Sequence, residues 1–225
     1  MCLNNWGGID HKVLEFHEYV NLFSGKSGSG KSTVMDAIQV ILYGSFSPSF
    51  LNKAADDAKN RRSVLSYLRG EQKDGSANRK DCDFCSVIAL EIEDTGTHII
   101  TCIGIAFEVR KSDSEIKKFV YFSHSGKMPE SEYLTEQGVC YSNQEIKKLV
   151  SARTKSDDNR GKGEVNRIYG SKEAYLGTLY DVILGYIDQN RFIKMEKSAI
   201  ALKMTNGTGQ FIRDYMFPKN TSNTI

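Results

Sequence analysis

An α/β fold, one strand–loop–helix unit followed by an antiparallel β-subdomain, is predicted by three features of this 225-residue sequence. A glycine-rich octapeptide, Gly25 to Ser32, lies between a short apolar run and a stretch of helical periodicity. Apolar residues alternate in three consecutive segments between Ser86 and Phe122. The composition, 40% apolar and 10% aromatic, is sufficient for one core of domain size and excludes a disordered chain.

Along residues 1–50, Cys2 to Trp6 and Val13 to Phe16 are predicted strands with Gly7-Gly8-Ile9-Asp10 as their turn. Val20 to Ser24 reads as a further strand running into the glycine loop. From Thr33 to Tyr43, Val34, Ala37, Ile38, Ile41 and Leu42 recur at three- and four-residue spacing, which predicts a helix that Gly44 stops. Residues 51–80 form a locally basic insertion: Lys53, Lys59, Arg61, Arg62, Arg69, Lys73, Arg79 and Lys80 stand against Asp56, Asp57, Glu71 and Asp74. A short helix is predicted within it from Arg62 to Leu68.

Within 84–124, Ser86 to Glu93, Ile99 to Arg110 and Lys118 to Phe122 read as strands, with Ile103, Ile105, Phe107 and Val109 on one face. The short Asp94-Thr95-Gly96-Thr97 link makes the first pair a hairpin and the whole a meander. Residues 142–217 read as a mainly helical part. Ser142 and Glu145 have capping-box spacing before Ile146, Leu149 and Val150. After a polar loop from Ser156 to Gly163, a second helix is expected from Ser171 to Gly185, with Tyr175, Leu179, Val182 and Ile183 on one face. Phe192 to Met195 is read as a last strand, and Gln210 to Met216 as a short amphipathic segment after the Asn206-Gly207-Thr208-Gly209 turn.

Residues Gly25, Lys26, Ser27, Gly28, Ser29, Gly30, Lys31 and Ser32 satisfy G-x-x-x-x-G-K-S. Glycines let such a loop fold so that successive N–H groups point inward, and the helix that follows adds its unpaired N–H groups and positive dipole end. The expected ligand is ATP with Mg2+: Lys31 bridging the β- and γ-phosphates, the Ser32 hydroxyl ligating the metal, and Thr33 completing the cradle. Hydrolysis also needs an acid at the end of a second core strand. The one candidate, Ile183 to Asp188, has helical rather than strand spacing and contains Gly185. The second half of such a site is therefore not legible here.

Several stretches resemble the N-terminal lobe of ATPase heads of the SMC and MukB kind, and are similar to the SMC-like subunit of Wadjet plasmid-defence condensins and their MksB relatives. They are Asn4-Asn5-Trp6, Tyr19 to Thr33, Asp36-Ala37-Ile38-Gln39, Asn52-Lys53-Ala54-Ala55, Tyr67-Leu68-Arg69-Gly70 and Phe211 to Tyr215. The resemblance implies a P-loop NTPase of the ABC/SMC-head type whose N-terminal lobe carries an antiparallel β-subdomain. It implies that a C-terminal lobe of the same protein supplies the signature motif and acidic strand, and that two heads sandwich ATP. It further implies kleisin, winged-helix and nuclease partners, movement of DNA, and a cytoplasmic, nucleoid-associated location. On this reading the chain is a head fragment leading toward a coiled coil, inactive as an ATPase by itself. Gln210 is the positional candidate for the family's Q-loop glutamine, catalytic and touching Mg2+; an ordinary polar residue at a helix start is the competing reading.

Other signals are weaker. Net charge is +2, so any nucleic-acid contact must come from local clusters; Arg61, Arg62, Arg69 and Arg79 are the candidate phosphate contacts on DNA. Cys82 and Cys85 have the spacing of half a zinc site without a second pair. Five cysteines, an odd number, argue for reduced thiols. No apolar run approaches the ~20 residues of a membrane span, so no membrane partner is expected. A stand-alone P-loop kinase or GTPase, or a non-hydrolysing nucleotide-binding module, remains the alternative.

Overall fold

The computed structural model describes residues 1–26, 28–48, 51, 63–72, 74–156 and 165–200, with side chains in the last span to 196. The chain divides into two units, Met1–Tyr186 and Ile187–Ile225.

In the first unit a six-stranded antiparallel sheet runs in the order β2-β1-β3-β4-β5-β6. Strands β1 (Cys2–Trp6) and β2 (Ile9–Val13) form a hairpin in which Cys2 pairs with Val13 and Trp6 with Ile9. The turn is tighter than the sequence predicts and the second strand starts earlier, because Gly7, at φ 59°, and Gly8 reverse the chain by themselves. Strands β3 (Phe84–Glu93), β4 (Ile100–Val109) and β5 (Lys118–Ser125) form the expected meander. The Asp94 side chain closes the first link by accepting the N–H groups of Gly96 and Thr97 at 2.8 and 2.9 Å, which hold its carboxyl below the usual range. A three-residue strand, β6 (Arg167–Tyr169), pairs with β5; alternation over three residues gives no periodic signal, and the sequence does not reveal it.

Both faces of the meander are covered, which explains why β4 is apolar along nearly its whole length. On one face Val87, Ala89, Ala106 and Phe122 pack with Ile146 and Val150 of α3 (Asn143–Ser156). That helix starts as predicted: Ser142 N–H and Oγ donate to the Glu145 carboxylate at 2.6 and 2.9 Å, and Glu145 N–H donates back to Ser142 Oγ. Against the sheet also pack α1 (Lys31–Tyr43), on β3 and β4, and α4 (Lys172–Gly177), on β5 and β6. Helix α2 (Val64–Arg69) packs on β1.

Three expectations are corrected. Val20 to Ser24 forms no strand: it is irregular chain after a bend at Glu18 and Tyr19, with Tyr19 80%, Val20 78% and Leu22 88% exposed, because an apolar run becomes a strand only beside a neighbour. The helix expected from Ser171 to Gly185 begins as α4 and changes to a π-helical turn over Thr178–Ile183, which rotates the buried face onto Tyr175, Leu176, Leu179 and Tyr180 and leaves Val182 exposed. In the second unit, the strand expected from Phe192 to Met195 lies inside α5 (Gln189–Ile200). Asp188 starts that helix by accepting Arg191 N–H on its carboxylate at 2.8 Å. A short apolar run carries no period of its own, and here the cap decides.

Candidate phosphate-binding loop

The loop and helix are built as the motif requires. Gly28 and Gly30 have φ of 84° and 87°, the left-handed region, with open space where a Cβ would stand; a Cβ on Gly25 would meet Ser29 Oγ at 2.7 Å. Gly30 is the residue before α1, so that helix starts with no side-chain cap and no acid in its first turn. Its first N–H groups and dipole end are thus left to an anion. The Lys31 ammonium turns back into the loop and donates to Gly25 O at 2.7 Å, Lys26 O at 3.0 Å and Ser29 Oγ at 3.3 Å. Ser32 is exposed, and Thr33 half-buried, beside it. Loop shape, donors and cation therefore fit a polyphosphate. Ser27 lies outside the described residues.

Helix α1 is fastened at both ends. At its start, the Trp6 indole N–H donates to the Thr33 carbonyl at 2.8 Å, and the Trp6 ring stacks on Tyr67 with centroids 5.0 Å apart and planes 8° from parallel. The Tyr67 hydroxyl donates to the buried Asp36 carboxylate, and Gly7 N–H donates to the Tyr67 carbonyl at 2.8 Å. A Cβ on Gly7 would come within 2.5 Å of Thr33 Cγ2, so glycine permits this approach. At its end, three tyrosine hydroxyls reach the last carbonyls: Tyr175 to Ile41 at 3.0 Å, Tyr180 to Leu42 at 3.0 Å and Tyr121 to Gly44 at 2.6 Å. Burial pushes the Tyr121 and Tyr180 phenols up to about 12 and Tyr175 well above its ordinary value. None of these anchors was assigned a role from sequence; the lone tryptophan and the tyrosine-rich composition were the available signals.

The basic insertion is corrected at two of its four arginines. Arg79 is buried, not a surface cation. Its guanidinium donates to Leu68 O and Asp10 Oδ1, each at 2.9 Å, and to Gly7 O at 2.5 Å. Arg69 is half-buried and donates to the carbonyls of Asp113 at 2.5 Å and Lys111 at 3.2 Å, tying α2 to the turn between β4 and β5. Both guanidiniums satisfy backbone oxygens that a phosphate contact would leave unpaired. Arg61 and Arg62 lie outside the described residues, as do Asn52 to Ala55, residues 157–164 of the polar loop, Gln210 and everything from 201 onward.

Gln39 is buried on α1. Ile183 to Asp188 forms no strand: Gly185 and Tyr186 both have positive φ, and Asp188 caps α5. Among the described residues no group of three or more His, Cys, Asp or Glu side chains is placed to hold a metal, and no helix is long and apolar enough to cross a membrane. Burial raises the thiols of Cys2 and Cys102 to about 12 and Cys85 to about 11, whereas Cys82 is exposed.

Residues 1–58 match a family described as the P-loop containing region of AAA domain. That span contains the hairpin, the glycine loop and α1. The chain thus has a mixed α/β fold with an antiparallel sheet and a P-loop-like N-terminal region, in keeping with the P-loop NTPase superfamily in general.

Proposed function

We propose that this chain binds Mg·ATP at residues 25–33 and is the N-terminal lobe of an SMC-like ATPase head. The observation that carries the reading is the inward-turned Lys31 ammonium at the uncapped start of α1, framed by glycines at positive φ. Lys31 exchanges loop oxygens for phosphate oxygens, a charge-assisted replacement, and the α1 N–H groups take further phosphate oxygens. Ser32 is the protein ligand offered to Mg2+, which, when bound, neutralises phosphate charge.

The head-lobe reading draws on the order of the resembling stretches and on the antiparallel subdomain beside the loop. Tyr19, Val20 and Leu22, exposed and outside any strand just before the loop, offer backbone and apolar side chains to a strand of the completing C-terminal lobe. That lobe brings the signature motif and acidic residue, Gln210 serves as the Q-loop glutamine, and hydrolysis follows pairing with a second head. Kleisin and winged-helix subunits and DNA complete the assembly, with Arg61 and Arg62 as the remaining arginines for backbone phosphates. Calorimetry of the full 225-residue chain tests the nucleotide reading: saturable binding of Mg·ATP with almost no turnover is expected. Absence of binding, or turnover typical of complete ATPases that Lys31→Ala abolishes, would overturn it. Restored turnover on co-expression with the C-terminal lobe tests the assembly.

A further inference from the structure

Trp6 and Tyr67 reach the start of α1 from two different elements, β1 and α2, and act on consecutive turns of it. Trp6 gives Thr33 O a second donor, beyond the helix's own, from an indole that is wholly buried. Tyr67 holds Asp36, one turn past Ser32, and its own ring is set by the Trp6 stack and by the Gly7 N–H on its carbonyl. Arg79 closes the set by holding the Gly7 and Leu68 carbonyls at once. These contacts restrain rotation of α1 about its axis and sliding along it, the two movements that would turn its free N–H groups away from a bound anion.

We propose that Trp6 and Tyr67 are positioning residues for the phosphate site: through Thr33 O and Asp36 they hold the first turns of α1 at the angle and depth at which it receives a triphosphate. The proposal rests on the nucleotide reading above. The chemistry recognised is the polyphosphate and not the base, since both residues act on the helix start and Lys31 belongs to that same turn.

The structure supplies its own control. Tyr175 makes an equivalent buried bond to Ile41 O at the opposite end of the same helix, so Tyr175→Phe removes a phenol of similar burial without touching the loop end. Trp6→Phe keeps an aromatic ring but loses the indole N–H, and Tyr67→Phe keeps the stack but loses the hydroxyl. Affinities of the full chain for Mg·ATP and for inorganic tripolyphosphate are measured well below each variant's melting temperature.

Trp6→Phe and Tyr67→Phe should each weaken both ligands about fivefold, equivalent to about 1 kcal/mol. Tyr175→Phe should lower the melting temperature comparably while leaving both affinities unchanged. Trp6 is the single tryptophan, so saturation with either ligand should also change the intrinsic emission of the unsubstituted chain. If that chain binds neither ligand, the nucleotide reading falls and the proposal with it. If it binds, and Trp6→Phe and Tyr67→Phe bind equally well or no better distinguished than Tyr175→Phe, positioning alone is overturned and the two residues are merely structural.

Discussion

The Lys31 ammonium donates to the Gly25 carbonyl at 2.7 Å, closing the glycine loop across its own mouth. The contact is exposed, as are the companion bonds to Lys26 O and Ser29 Oγ, and water can replace each of them. Lys31→Ala should therefore weaken Mg·ATP at least about tenfold, the effect of losing a charge-assisted phosphate contact. The melting temperature of the nucleotide-free chain should move by only a degree or two, roughly the effect of a surface substitution. Calorimetry and thermal denaturation on one preparation check both; equal losses would make Lys31 a structural residue.

Arg79→Met replaces a buried guanidinium by a side chain of similar length and leaves the carbonyls of Leu68 and Gly7 without their donor. Each buried orphan costs about 1–3 kcal/mol, so urea denaturation should show a loss of about 2–6 kcal/mol. Asp10, the acidic partner, is largely exposed and adds little. Because Arg79 is not a surface cation, the salt dependence of any DNA binding should be the same in a variant that still folds.

The five cysteines should separate by burial when the native chain meets a thiol reagent. Cys82 is exposed and should react within the first phase. Cys2, Cys102 and Cys140 are buried and their thiols raised, so they should wait for unfolding, and Cys85 should fall between. Mass spectrometry after timed labelling identifies the order.

Alkaline stability follows from the tyrosines at the end of α1. Unfolded tyrosine ionises near pH 10, whereas Tyr121 and Tyr180 in the folded chain hold their protons to about 12. Between those values the unfolded chain has given up protons that the folded chain retains, so stability falls as pH rises, by about 1.4 kcal/mol per unit for each such group. It is fully present below pH 10. Tyr180→Phe, which has nothing to ionise, should flatten the decline measured by denaturant titration from about pH 10 to 11.5.

Local signals in the sequence carried well into the structure, and long-range ones did not. The period-two pattern from Ser86 to Phe122 predicts the meander, and Ser142 with Glu145 predicts the start of α3, because both depend on residues a few positions apart. Gly25 to Ser32 is legible for the same reason. Trp6 and Thr33, or Tyr67 and Asp36, are 27 and 31 positions apart, and no spacing rule connects them. Arg79 misleads because a basic stretch describes composition, whereas burial depends on the carbonyls that the fold brings around it. Val20 to Ser24 misleads in the opposite sense, since strand-like composition contributes nothing to a ladder without a neighbour.

The two lips of the glycine loop are unequal. The α1 side is fastened to the sheet and to α2, while the side entering at Gly25 arrives from chain that belongs to no ladder. Only part of the ligand's seat is prepaid by folding, and the population of chains with the Gly25 side seated scales the apparent dissociation constant. If about one chain in ten is seated, the apparent affinity is about tenfold weaker than the intrinsic one. Any segment that adds a strand beside Tyr19, Val20 and Leu22 would raise that fraction, tightening phosphate binding as an effector that never touches phosphate.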